Sequence, residues 1–357
     1  VNKNVAILGG LLTVALVGSY LSWTSEDEEV EDGQVTVIDA KPEQLSAVTY
    51  SNDELLVELS IRSDDRGSYV WVKTTETEMV PVPPEPAPLE SLDQGAEGSE
   101  GEEPIEEVPE PEPELVEEIS VTEFKGGDAS DGLLASLAPL LAERQLDVAP
   151  ERYDEFGLLE PEASFSVTRE GKPAREFTVG GEAYGSRDLY VLESANGSVY
   201  LFDQEMLRPL RYATTRLPDR TLQPADAEDI VAITVIAGDQ TLALEHFNRS
   251  DREAEYWGLA GATVGDESAG TWLGKALGLK AKGYVQPDRP PSETVSEVTL
   301  RIEPVEGEPW TVEVFSGTDI DGKSAWYARS EHTRELVELH PAQASELVQD
   351  LETILPE

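Results

Sequence analysis

Residues 43–50, EQLSAVTY, return at residues 228–235 as EDIVAITV, with Glu43/Glu228, Ala47/Ala232 and Thr49/Thr234 identical and Leu45/Ile230 and Val48/Ile233 both apolar. Apolar and β-branched residues spaced in this way mark a half-buried strand. A second correspondence sets DLYVLESANGSVYLF, from Asp188, beside SAWYARSEHTRELVEL, from Ser324, and places Tyr190 on Tyr327 and Val199 on Leu336. The first pair is offset by 185 positions and the second by 137, so one copy carries 48 residues that the other lacks. Self-similarity in a fixed order is the signature of a duplicated unit. The chain is therefore expected to contain two tandem similar modules, with Trp71 and Trp257 in equivalent places, and Tyr190 and Tyr327 likewise.

Between the two anchor points the pattern is that of an α+β fold with mainly antiparallel sheets and a few helices. Leu55, Val57, Leu59 and Ile61 alternate, and strand-like segments recur at 34–38, 163–167, 176–179, 188–192 and 198–202. The Gly180-Gly181 and Asn196-Gly197 pairs read as turns between them. Leu133, Leu134, Leu137 and Leu141 fall at helical spacing, with Asp131 near the N-cap and Pro139 limiting the helix. AGTWLGKALGL, residues 269–279, predicts its counterpart in the second copy, and a short helix around 204–210 closes the first.

The surplus of the first copy has its own character. From Thr74 to Phe124 there is no Lys or Arg, while Pro and Glu recur throughout. Such a composition favours extended, solvated backbone and reads as a disordered insertion at about 78–122.

Residues 5–23, VAILGGLLTVALVGSYLSW, are free of charge, and 19 residues at a rise of about 1.5 Å match the thickness of bilayer hydrocarbon. Lys3 precedes this run, and Glu26, Asp27, Glu28, Glu29, Glu31 and Asp32 follow it, which predicts a cytoplasmic N-terminus. The expected organisation is a cytoplasmic tip and transmembrane anchor over 1–24, a first α+β module over 34–215 and a second over 220–357. The expected location is a bacterial inner membrane, crossed once, with the main domain periplasmic or extracellular. Val17-Gly18-Ser19 matches a cleavage site only weakly, which favours an anchor over a cleaved signal peptide.

With 73 Asp and Glu against 26 Lys and Arg, the formal charge is −47, so nucleic acid is excluded as a natural partner and basic protein faces are favoured. Cysteine is absent, which removes disulfides, thiolate chemistry and lipidation at Cys.

The anchor, the strand pair followed by Trp, the helix, the phrase YDEFGLLEPEASFSV from Tyr153 and the run FTVGGEAYGSRDLYVLESANGSVYLF resemble the bacterial domain-of-unknown-function 4340 family. The resemblance rests on the turn Phe156-Gly157-Leu158, on Gly180 at the end of a strand, on the Tyr190 strand and on the strand Val199-Tyr200-Leu201. These are marks of fold. Members are often encoded beside ABC transporters of the gliding-motility type, which implies an accessory role at a membrane complex.

No pattern of residues announces catalysis. His246, His332 and His340 show no metal-ligand spacing on one helical face and are assigned surface or packing roles. No Gly-x-Ser-x-Gly elbow is present. Gly317–Gly322 alternates carboxylates but places Gly317 and Ala328 where a calcium loop needs acids, so a hairpin turn is expected. Neither catalytic residues nor a cofactor or metal site is assigned. The expected function is a noncatalytic, membrane-anchored docking or accessory protein with protein partners, set against a carboxylate-dependent envelope enzyme or an acidic structural protein.

Overall fold

Leu45–Ser51 (β2) buries Val48 and Tyr50 on one face, with Leu45 buried ahead of an irregularity in the ladder, and its neighbours alternate likewise with Val57 and Leu59 on one side and Phe165 and Val167 on the other. This period-2 burial builds the first of two large sheets. The computed structural model describes residues 34–81, 115–251 and 253–355 and is mainly antiparallel β-sheet with few helices, an α+β fold weighted toward β.

The first sheet comprises β2, Leu55–Asp64 (β3), Gly67–Pro81 (β4), Leu115–Lys125 (β5), Arg144–Leu146 (β7), Ala163–Arg169 (β8), Arg175–Glu182 (β9), Asp188–Glu193 (β10) and Val199–Asp203 (β11), in the order β5-β4-β3-β2-β8-β9-β10-β11-β7. The helix Asp128–Leu137 (α1) packs Leu133, Leu134 and Leu137 into the core, and the short helices Arg208–Arg211 (α2) and Ala213–Arg216 (α3) bury Leu210 and Ala213. The second sheet comprises Ile230–Ala237 (β12), Gln240–Phe247 (β13), Tyr256–Leu259 (β14), Ala281–Tyr284 (β15), Ser292–Pro304 (β16), Trp310–Thr318 (β17), Ser324–Ser330 (β18) and Val337–Leu339 (β19), in the order β14-β13-β12-β16-β17-β18-β19-β15. Glu267–Leu277 (α4) and Pro341–Gln349 (α5) supply Trp272, Leu273 and Leu347 to its core. Leaving out β5, the two sheets have the same order of strands with the same connections, and α1 and α4 enter at the same point.

Register refines the pairing of aromatics. Tyr190 lies opposite Leu201 and Tyr327 opposite Glu338, so these tyrosines occupy matching positions at an offset of 137. The tryptophans do not. Trp71 faces Ser60 in the β3–β4 ladder, whereas Trp257 faces His246, whose counterpart Ile61 pairs with Val70. Trp257 thus stands one residue out of step with Trp71, and one step in a strand is the opposite face of the sheet. Trp71 is turned toward Tyr284 of the second half, while Trp257 stacks on His246 within its own sheet.

Three further expectations are corrected. Val35–Ile38 (β1) does not join the large sheet but pairs with Leu140–Ala142 (β6) in a separate two-stranded sheet. The helix α1 therefore stops at Leu137, and Leu141, counted in its apolar stripe, belongs to β6. The insertion assigned to about 78–122 is strand at both ends, since β4 and β5 pair continuously from Trp71↔Lys125 to Pro81↔Leu115. Apolar residues at Met79, Val80, Val116, Ile119 and Val121 lie among the glutamates and sustain the ladder; residues 82–114 lie outside the described residues, as does the 5–23 span. Among the described residues no helix is long and apolar enough to cross a membrane.

Gly180-Gly181 is not a turn either, being part of β9. A Cβ on Gly180 would stand 2.3 Å from the Phe156 carbonyl oxygen and 2.9 Å from Leu158 Cδ2, so the Phe156-Gly157-Leu158 turn is seated directly on bare backbone. Gly157 ends the preceding 3₁₀ helix with φ 68°, a left-handed conformation suited to glycine. Gly180→Ala is expected to destabilise the protein by about 1–3 kcal/mol, the usual cost of overpacking a tight site, whereas Gly171→Ala, with open space around it, carries only the cost of its φ of 66°. Chemical denaturation of the two variants measures the difference.

Candidate functional site

The connection between the two sheets gathers an unusual set of polar side chains. Lys125 ends β5, and its carbonyl accepts the Asp219 N–H at 2.9 Å, while Gly127 N–H donates to the Leu217 carbonyl. The link 217–221 is thus stitched to the end of the first sheet. Its other end is stitched to the second, through Ala281 N–H to the Arg220 carbonyl and a bridge between Thr221 and Lys280.

Into this seam the β18–β19 turn projects His332. Ser330 and Thr333, both buried, shape the turn: Ser330 N–H donates to Thr333 Oγ1, and the His332 and Thr333 N–H groups donate to Ser330 Oγ. The β10–β11 turn of the first sheet has the same length and the same closing bond, Gly197 N–H to the Glu193 carbonyl against Arg334 N–H to the Ser330 carbonyl. At matching positions the first turn has Ala195 and Gly197, and the second has His332 and Arg334. Arg334 accordingly takes a left-handed φ of 65°, close to the 72° of Gly197. Strain of this kind in a non-glycine residue persists where the surrounding structure over-determines it.

Four groups converge. Lys125 Nζ lies 2.7 Å from Asp219 Oδ2 and 3.1 Å from His332 Nε2, His332 Nε2 lies 2.7 Å from Asp219 Oδ2, and Thr221 Oγ1 is 2.6 Å from Asp219 Oδ1 and 2.9 Å from His332 Nε2. The side chains of Lys125, Asp219 and His332 retain only 10%, 12% and 16% of their exposure, so water does little to screen them. Burial opposes ionisation of Asp219, yet hydrogen bonds from His332, Lys125 and Thr221 hold its carboxyl well below the usual carboxylate range. Burial lifts the neighbouring Tyr284 hydroxyl far above the usual phenol range, and the charge of Asp219 adds to that effect.

The cluster has nucleophile, base and acid among its members but not their order. In a hydroxyl–imidazole–carboxylate relay the two ring nitrogens are divided, one facing the hydroxyl and the other the acid. Here Thr221 and Asp219 share the same nitrogen of His332. The arrangement pairs a buried lysine with a carboxylate of the link between the two sheets.

Around it runs a cleft of about 440 Å³, lined by Ser68, Tyr69, Lys125, Trp310, Glu331 and His332 among others. Its mouth is crossed by charged pairs between the halves. Arg334 Nε sits 2.6 Å from Asp64 Oδ2 and its guanidinium covers Tyr69 at 5.0 Å, while Arg66 reaches Glu331 at 3.6 Å and the Pro309 carbonyl at 3.2 Å. Gln286 Oε1 accepts the Glu123 N–H at 2.8 Å, and Tyr284 packs its ring against both Trp71 and Phe124.

If Arg334 is strained for the sake of this contact, its two simplest variants should diverge. Arg334→Ala keeps the left-handed strain and loses the clamp, whereas Arg334→Gly loses the clamp and the strain together. Denaturation is expected to find the glycine variant more stable than the alanine variant by about 1–2 kcal/mol, the cost of that backbone region for an L-residue.

The three histidines separate clearly. His246 is buried, bonded to the Ile230 carbonyl and stacked on Trp257 at 4.4 Å, which is a packing role. His340 precedes α5 and makes no side-chain cap bond. His332, assigned to surface or packing from sequence, stands in the junction cluster. Lys125, Asp219 and Thr221 were not singled out, for nothing in their spacing relates them. Gly317 and Thr318 end β17, and residues 319–323 form the β17–β18 turn, where Asp319 Oδ1 accepts the N–H groups of Asp321 and Lys323.

No curated protein and no solved structure matches the chain. The model of one family does match, over residues 127–297, which run from the start of α1 through the Phe156-Gly157-Leu158 turn, Gly180 and the Asp219–Thr221 link into β16. Across those residues the chain belongs to the family described as a domain of unknown function, DUF4340.

Proposed function

We propose that this protein is a noncatalytic docking or accessory subunit, held at the outer face of a bacterial inner membrane by residues 5–23 and serving a membrane complex of the ABC-transporter or envelope type. We read its soluble part as a tandem duplication, 34–215 and 220–357, with the boundary in the link that carries Asp219. The observation that supports this reading best is the junction. Two sheets of like connectivity are locked by buried charge pairs, hydrogen bonds and aromatic contacts, in an arrangement that fixes a composite surface and offers no divided acid–base pair. Repeated modules joined rigidly provide extended binding faces. The net charge of −47 favours basic protein surfaces as partners.

Photo-crosslinkers placed along both sheets of the full chain in native membranes, followed by identification of captured proteins, test the reading. Reproducible capture of the same membrane-complex component from several positions is expected; no specific capture, with the chain free in the bilayer, would overturn it. Protease added to intact spheroplasts should digest residues 24–357, and protection until lysis would reverse the orientation.

A further inference from the structure

The β4–β5 ribbon is an addition to the repeated sheet. Its counterpart β14 has four residues and forms the edge of its sheet, whereas β4 has 15 and carries β5 outside it. Pairing with β3 ends at Leu55↔Glu76, with one last bond from Thr77 N–H to the Glu54 carbonyl, while β4 and β5 continue together to Pro81↔Leu115. The ribbon therefore projects beyond the sheet.

The direction of its free backbone follows from two bonds at its base. Glu123 N–H donates to Gln286 and the Lys125 carbonyl accepts from Asp219, so the odd-numbered residues of β5 turn their peptide groups away from β4. Alternation in an antiparallel strand extends this to Val121, Ile119, Glu117 and Leu115. No bond to these outward groups occurs among the described residues. Their side chains share one face with Met79 of β4, and Ile119 is 61% exposed, Met79 56% and Leu115 52%. An open edge beside an apolar face is a template for strand addition.

Charge selects what can add. Glu117 lies on that face, Glu76, Glu78 and Glu118 on the other, and no Lys or Arg occurs from Thr74 to Phe124. Pairing of two copies would bring these carboxylates together, each on a chain of charge −47. A strand alternating apolar residues with Lys or Arg meets both the face and its charge. We propose that β5 binds an extended basic segment of a partner protein by edge-strand addition along Leu115–Val121; this rests on the docking reading and names the surface that would serve it.

The test uses the full chain and a synthetic ten-residue peptide alternating Val and Lys, with a Val/Glu peptide as control. At saturating Val/Lys peptide, hydrogen exchange at the amides of Glu117, Ile119 and Val121 is expected to slow at least tenfold, with no change from Val/Glu. Ile119→Pro removes an outward N–H that β4 does not use, so it should abolish the protection while thermal unfolding stays the same. No slowing, equal slowing by both peptides, protection that survives in Ile119→Pro, or slowing that depends on protein concentration without peptide would each overturn the assignment. Specific capture of a partner through other surfaces only would leave the docking reading standing and remove the ribbon from it.

Discussion

Replacing Asp219 with Ala is expected to lower the unfolding free energy by about 3–5 kcal/mol, because it leaves the ammonium of Lys125 buried without its counter-charge. Lys125 retains 10% of its side-chain exposure, and its other near contact, His332 Nε2 at 3.1 Å, carries no negative charge. The same reasoning says where the loss can be recovered. In the double variant Lys125→Met/Asp219→Ala no charge remains to be solvated, and most of the stability should return, since apolar pairs often replace buried ion pairs without net cost. Urea denaturation of the single and double variants decides the matter: a loss under 1 kcal/mol, or none of it recovered, would contradict a buried pair.

Acid gives a second readout of the same group. The folded state holds the Asp219 carboxyl below its ordinary pKa, so it contributes stability that is fully present above the unfolded value of about 3.9 and is lost as pH falls toward the folded one. The wild type should therefore weaken progressively below about pH 4, and Asp219→Ala should show a shallower dependence there than wild type. Many surface carboxylates titrate in that range as well, but the difference between the two proteins isolates Asp219.

Where one face of a strand is buried, the sequence states it openly, and β2, β3, β8, β10 and β12 could be read from their alternation. The like strand order of the two sheets left a trace in the sequence for the same reason, since strands in matching places bury matching faces. Three kinds of feature were hidden. The junction cluster draws on positions 125, 219, 221 and 332, which only the packing of two sheets brings together. The glycines of β9 have the local chemistry of a turn, and only the seat of Phe156 and Leu158 shows why a strand needs them. In β5, Leu115, Val116, Ile119 and Val121 among glutamates were outweighed by the Pro/Glu composition on their N-terminal side, although Ile119 and Val121 already stand two apart. The tryptophans misled by one position: short aromatic echoes align by eye at an offset of 186, but the ladders set Trp257 on Val70, an offset of 187, and in a strand that single step exchanges faces.

Trp272 offers a comparable effect inside the second half alone. It lies on the buried face of α4 with 1% exposure, and its indole N–H donates to the Leu347 carbonyl at 2.9 Å. Leu347 is in the last turn of α5, where carbonyls lack partners within the helix, so the indole both fills the core and satisfies a helix end. Trp272→Ala should cost about 3–5 kcal/mol from the cavity it leaves. Trp272→Phe keeps much of the volume and strands the carbonyl, a loss of about 1–3 kcal/mol. The two large sheets allow this to be located. Hydrogen exchange in Trp272→Ala should lose its protection in β12, β16, β17 and β18, with a smaller loss in β2, β8 and β9, because α4 packs chiefly on β14 and α5 of the second half and the first sheet is bound to that half through the junction. Equal loss in both sheets would mean that the junction makes them a single cooperative unit, and adding Asp219→Ala should then restrict the loss to the second sheet, since a clamp that transmits destabilisation must stop transmitting it once broken.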